Sequence, residues 1–211
     1  MSLMIPAGSL QLEALLREPQ GLTRGAVVVC HPHPVYGGTM DNKVVYRSAK
    51  AAAEIGFAAL RFNFRGVGQS TGQYDQGIGE KEDATAAIDW LEKKYPNLPL
   101  ALMGYSFGAW VGLQVGCSDP RVTAMVALAP PLNLYDFEFL IRNSKPTLCI
   151  VGTRDEFCSR ENIDQLERKL PLSSSLHRIE EAEHFFTGHI ETIQFLIADF
   201  FKSLQLERKT P

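Results

Sequence analysis

Ser106 lies in Gly104-Tyr105-Ser106-Phe107-Gly108, a G-x-S-x-G pentapeptide. An apolar run of strand length, Leu98 to Met103, precedes it, and from Phe107 the chain is apolar on nearly every face of a helix. A serine on so sharp a strand-to-helix turn is held with strained backbone and its hydroxyl pushed out of the sheet, and glycines on either side let strand and helix approach without Cβ clashes. The helix N-terminus then offers backbone N–H groups and the positive dipole end to a developing oxyanion. The chemistry this pattern suits is attack by a serine hydroxyl on a carbonyl.

A serine hydroxyl is a weak nucleophile, so it needs a base, and the base needs an orienting acid. The chain has five histidines. His31 and His33 follow the apolar run Gly25–Cys30, His177 lies within the strand-like run Ser174–Ile179, and His189 opens the closing helix. His184, in the loop just past that last strand, is the best placed base. Asp155, in the loop after the strand PTLCIVG, is the best placed acid; Glu156 is a neighbouring alternative and Asp136 a more distant one. The order Ser106, Asp155, His184 is that of one catalytic fold and differs from the chymotrypsin and subtilisin orders. His31-x-His33 also has the form of a metal-ligand pair. A proline after each histidine makes a stiff turn the better explanation, and no third ligand clusters nearby, so neither metal nor cofactor is expected.

These residues need elements to carry them. Leu10, Leu12, Ala14 and Leu16 alternate as in a half-buried strand, with Ala7-Gly8 as a hairpin turn before them. The continuous apolar run Gly25–Cys30 reads as a strand in the centre of a parallel sheet, Phe57–Phe64 as the next strand, and Val122–Ala129 and Pro146–Gly152 as further strands, that over Val122–Ala129 buried. Helical periodicity begins near Asp41 and stops at Gly56, and resumes near Gly79, near Ser159 and in the closing segment with Ile190, Ile193, Ile197, Phe200 and Phe201. Asp41 and Asn42 suit the cap of the first helix, and Glu80, Glu82 and Asp83 suit the dipole of the second. Arg65 to Gly68 reads as a turn leaving a strand, and the tail LQLERKTP as frayed. Strands alternating with helices predict an α/β fold: a mainly parallel sheet with an N-terminal antiparallel strand and helices on both faces, whose ligands lie at the carboxyl ends of the strands.

At 211 residues, with 45% hydrophobic and 21% charged residues, the chain suits one soluble domain spanning 1–211. A net charge of −3 without a Lys/Arg cluster argues against nucleic acid as a partner. The N-terminus has neither a basic region nor a long apolar region of signal type, and no apolar run reaches the roughly 18 residues of a membrane span. Cys30, Cys117, Cys149 and Cys158 are scattered without C-x-x-C spacing, as expected of free thiols in a cytoplasmic protein. The expected partner is a small molecule.

With these motifs together, the chain resembles the α/β-hydrolases over nearly its whole length. More narrowly it resembles the small lidless serine hydrolases related to dienelactone hydrolase. Those share a loop like His31-Pro32-His33-Pro34 followed by Gly37-Gly38-Thr39-Met40-Asp41-Asn42-Lys43, and a turn like Arg61-Phe62-Asn63-Phe64-Arg65-Gly66-Val67-Gly68. Dienelactone hydrolase carries a cysteine where this chain has Ser106, so lactone specificity does not carry over. The resemblance implies a catalytic set of Ser106, Asp155 and His184. It also implies an oxyanion hole from the Phe107 N–H and one from the loop after the first parallel strand. His33 is the expected second donor, with Val35 and Tyr36 as alternatives; Pro32 and Pro34 have no N–H. Only Pro130 to Lys145 separates two strands where a lid would be inserted, so the site should be open, with Tyr36, Tyr105 and Tyr135 as pocket walls. The function expected is a serine esterase acting on small carboxylic esters or thioesters. A short-peptide hydrolase or acyltransferase with the same residues is the alternative, and a non-catalytic binding member of the fold is the other class.

Overall fold

A computed structural model describes residues 2–204; the tail from residue 205 on, expected to fray, lies outside them. Strands β1 (Leu3–Ala7) and β2 (Leu10–Arg17) form an antiparallel hairpin, with Ile5 opposite Leu12. The six strands that follow are parallel to one another: β3 (Gly25–Cys30), β4 (Phe57–Phe62), β5 (Leu100–Tyr105), β6 (Val122–Leu128), β7 (Thr147–Gly152) and β8 (Ser174–Ile179). Among the described residues they make one eight-stranded sheet in the order β1-β2-β4-β3-β5-β6-β7-β8. The residues of β3, β4, β5 and β7 are buried throughout, which is why their sequences are nearly continuous apolar runs rather than alternating ones, with Arg61 in β4 and Thr147 in β7 as buried polar members.

Helices cover both faces. On one, α1 (Lys43–Glu54) and α6 (Ile190–Ser203) pack Val45, Ala49 and Ala52 with Ile193, Ile197 and Phe201 against the sheet. On the other, α2 (Gly79–Lys94) and α3 (Phe107–Ser118) bury Ala87, Ile88, Leu91, Val111 and Leu113. A single-turn helix α4 (Glu138–Ile141) is all that rises between β6 and β7, so no lid covers the sheet end, and α5 (Arg160–Lys169) joins β7 to β8. No helix among the described residues is long and apolar enough to cross a membrane. The chain leaves β3 for β4 on one side and later returns to β5 on the other. The crevice that this reversal opens lies outside the carboxyl ends of β3 and β5, where the His31 loop and Ser106 emerge.

Several elements differ from expectation for local reasons. The strand expected over Phe57–Phe64 ends at Phe62. Beyond it the Asn63 N–H donates to the Glu13 carbonyl at 2.8 Å and the Phe64 N–H to His31 Nε2 at 3.0 Å, which turns the chain out of the ladder. The strand before Ser106 runs from Leu100 to Tyr105, two residues later than expected at each end. Only Asn42 caps α1, accepting the Val44 N–H at 2.9 Å, while Asp41 pairs with Arg61 at 3.1 Å. Glu80 and Glu82 do lie in the first turn of α2, Asp83 lies just past it, and Glu80 and Asp83 are fully buried. Glu80 accepts the N–H groups of Asp75 and Gly77 at 2.8 and 2.7 Å, and Asp83 grips the Arg65 guanidinium at 2.8 Å.

Candidate active site

Ser106 sits between β5 and α3 with φ 55 and ψ −121, a conformation that a side-chain-bearing residue adopts only under constraint. The constraint is packing. A Cβ on Gly104 would lie 2.2 Å from the Gly108 carbonyl oxygen, so only glycine lets the strand meet the helix there. The Ser106 N–H donates to the Leu128 carbonyl at 2.9 Å, which ties the turn to β6.

Asp155 follows β7 and His184 follows β8. Their two loops are drawn together because Gly152 passes so near Ala182 that a Cβ would lie 2.3 Å from the Ala182 oxygen, and the Arg154 N–H donates to that same oxygen at 2.9 Å. His184 Nδ1 lies 2.8 Å from Asp155 Oδ2, and Nε2 lies 2.9 Å from Ser106 Oγ. Ionised, a carboxylate only accepts, so Nδ1 carries the proton and Nε2 is left to accept from the serine hydroxyl. Asp155 is buried, and its other oxygen accepts the Phe157 N–H at 2.8 Å, which fixes the carboxylate plane. Glu183 staples the His184 loop by accepting the N–H groups of Phe185 and Thr187, both at 2.8 Å. Against the upward push of burial, those donors hold its carboxyl below the usual range. The structure thus brings Ser106, His184 and Asp155 into one hydrogen-bonded run. Glu156 and Asp136 are exposed and outside it; Asp136 instead caps the Glu138 N–H at 2.7 Å.

The turn after β3 contains a short 3-10 segment, Pro34–Tyr36, where sequence alone suggested open loop. His31 is fully buried; Nδ1 donates to the Pro32 carbonyl at 2.6 Å and Nε2 accepts from Phe64, and burial pushes its pKa down to about 4. His33 Nδ1 accepts the Val35 N–H at 3.2 Å and Nε2 meets the Tyr74 hydroxyl at 3.2 Å, so both imidazoles already have their ring nitrogens engaged. The Tyr36 N–H is taken by the His33 carbonyl at 3.2 Å. By contrast the His33 and Phe107 N–H groups have no partner among the described residues, and the two rings lie 4.8 Å apart. Of the donors considered, these two remain available to an oxyanion.

The tyrosines expected as pocket walls part company. Tyr36 is 85% exposed and Tyr135 half-buried, but Tyr105 is buried under the site. Its ring stacks on the His184 imidazole at 5.5 Å and its hydroxyl donates to the His184 carbonyl at 3.1 Å, so it props His184 and cannot line a pocket. Alternation predicts this inward turn no better than the outward one, because β5 is buried on both faces. Tyr74, Trp110, Phe157 and Phe185 also reach the site, and nothing in their local sequence marks them. Burial pushes Cys149 and Cys158 up to about 12 and Cys117 to about 11, and raises Cys30, so the four thiols stay protonated and poorly nucleophilic near neutral pH.

The family model for X-Pro dipeptidyl-peptidase (S15 family) matches residues 10–164, a stretch that holds Ser106 and Asp155 but stops before His184. An uncharacterized protein of Rickettsia prowazekii is 38% identical over 187 residues, covering 84% of this chain and 79% of that protein. An α/β serine hydrolase homologue from Coxiella burnetii superposes with a TM-score of 0.88 at 35% identity, over 94% of this chain and 96% of that one. A serine hydrolase without a lid from Xanthomonas campestris superposes with a TM-score of 0.86 at 31% identity, over 100% of this chain and 96% of that one.

Proposed function

The chain belongs to the S15 family, within the α/β-hydrolase superfamily, and from that premise we propose that it is a serine hydrolase that cleaves small carboxylic esters or thioesters through an acyl-enzyme on Ser106. The observation that carries this reading is the run Asp155–His184–Ser106, with 2.8 and 2.9 Å between its members. Ser106 Oγ attacks the carbonyl carbon as its proton passes to His184 Nε2. Asp155 holds the resulting imidazolium, and the Phe107 and His33 N–H groups receive the oxyanion. As the tetrahedral adduct collapses, His184 returns the proton to the departing alcohol or thiol. Water then repeats the sequence on the acyl-enzyme and releases the acid. Four free thiols suit a cytoplasmic setting for this reaction.

The family match also favours a second reading, cleavage of short peptides by the same residues. Among the described residues no carboxylate is directed at the Ser106 hydroxyl, whose side-chain partner is His184, and Glu80, the buried acid behind the Tyr74 loop, spends its oxygens on the N–H groups of Asp75 and Gly77. That supports the ester reading. A fluorophosphonate should label Ser106 covalently, and p-nitrophenyl acetate should be turned over faster than an alanyl-prolyl anilide. Faster release from the anilide would establish the peptidase instead, and an unlabelled, inert protein would leave only a binding role.

A further inference from the structure

Attack at Ser106 fixes which end of an ester lies where. The leaving group takes its proton from His184 Nε2, so it lies on the His184 side and the acyl group points away from it. Two sets of rings gather on the neighbours of Ser106, one on His184 and one on Phe107, with no ring contact between them among the described residues. Tyr105, Phe157 and Phe185 pack on His184. The other set is centred on Phe107, whose N–H is the proposed oxyanion donor. His33 lies 4.8 Å from Phe107, and Tyr36 and Tyr74 lie 4.6 and 5.0 Å from His33. Trp110 and Tyr135 lie 5.9 and 6.2 Å from Phe107 and stack on each other at 4.3 Å and 14°. Chain segments far apart in sequence converge on this arc: the turn after β3, the loop before α2, the first turn of α3 and the loop after β6.

The side chains that make up the arc are rings, carrying no formal charge of their own. Burial, reinforced by neighbouring Tyr135, Glu80 and Tyr36, keeps the Tyr74 phenol above its ordinary value, and burial with Tyr36 does the same for Tyr135, so the hydroxyls here are neutral. The cation–ring contacts of the described residues fall elsewhere, on Tyr46, Trp90 and Tyr95, so no Lys or Arg sits over the rings of the arc, and the carboxylate of Glu80 beside Tyr74 disfavours an anionic acyl group. Without a lid there is no tunnel to wrap an alkyl chain, whereas a planar ring gains edge and offset-face contacts from one or two aromatic neighbours.

We propose that Tyr36, Tyr74, Trp110 and Tyr135 form the acyl-binding surface, and that the substrate it takes is an ester or thioester whose acyl part carries an uncharged aryl ring. This rests on the acyl-enzyme reading above. The test compares methyl phenylacetate, methyl cyclohexylacetate and methyl octanoate, which share a leaving group and an acyl carbon count. Each kcat/KM is measured by pH-stat and divided by the ester's rate of alkaline hydrolysis. The phenylacetate should lead the other two by roughly three- to tenfold. Tyr135→Leu, folded by circular dichroism, should reduce that lead, and Tyr135→Phe should keep most of it. Equal or reversed ranking in the wild-type protein overturns the assignment, as does a lead that survives both Tyr135→Leu and Trp110→Leu. Labelling of Ser106 and hydrolysis of methyl acetate without an aryl preference would defeat this inference alone; absence of both would defeat the acyl-enzyme reading and this one with it.

Discussion

His31 and His184 both follow the carboxyl end of a parallel strand, and both imidazoles are buried and doubly hydrogen-bonded. Each has Nδ1 on an oxygen, the Pro32 carbonyl in one case and Asp155 in the other. The difference is on Nε2. His31 accepts a backbone N–H from Phe64, a donor that never gives up its proton, whereas His184 faces the hydroxyl of Ser106, which can. The same side chain with nearly the same geometry therefore suits a brace in one loop and, in the proposed function, a base in the other. What separates them is the acidity of one partner and, behind it, a carboxylate rather than a carbonyl to hold the charge that proton transfer creates.

The sharpest way to break that contrast is at the reacting end. Ser106→Ala should lower ester hydrolysis by about 10⁴-fold or more while the denaturation midpoint stays in place. A folded variant with near-normal turnover would move the nucleophile elsewhere. Next comes the group behind the base: Asp155→Asn should cost about 10³- to 10⁴-fold in kcat, because the imidazole loses the partner that fixes its tautomer. Glu156→Gln should stay within about twofold. Equal losses would transfer the orienting role to Glu156.

At the bracing end the readout is stability. The unfolded chain protonates His31 near 6.5, but the folded chain keeps it neutral down to about 4. Between those values the unfolded state binds the extra proton. The contribution of His31 is therefore complete above pH 6.5 and is lost as the pH falls toward 4, on the order of 3 kcal/mol. The depressed pKa of His33 acts in the same direction. Urea titrations across that window should show stability falling with acid, and His31→Gln should flatten the slope; an unchanged slope would remove His31 as its source. The smallest effect sharpens the His184 side. Tyr105→Phe deletes only the hydrogen bond to the His184 carbonyl, so kcat should fall roughly three- to tenfold with KM unchanged. A change confined to KM would return Tyr105 to the substrate.

Much of this was legible in the chain. β3 and β8 begin and end where the sequence places them, and Ser106, Asp155 and His184 each follow a strand that the sequence marks out. Such features are local, because burial on both faces writes a continuous apolar run and a sharp turn writes glycine. The remainder depends on distant partners. Glu80 looks like any acid at a helix start until the Asp75 loop folds back onto it, and Tyr105 shows its direction only when His184 arrives from the other end of the chain. The aromatic arc is harder still, since its members come from separate loops that share no period.

Sheet order places the proposed catalytic residues unequally. Ser106 hangs from β5, flanked by β3 and β6, while His184 hangs from β8, which among the described residues is an edge strand paired with β7 alone and whose burial is partial. Edge strands open in smaller cooperative units than central ones, and at lower free energy. On warming, amide exchange should therefore speed up in β8 before β5, and the base should disengage from an otherwise intact nucleophile turn. Heat would then silence the protein reversibly before it unfolds it, with the last strand as the fuse.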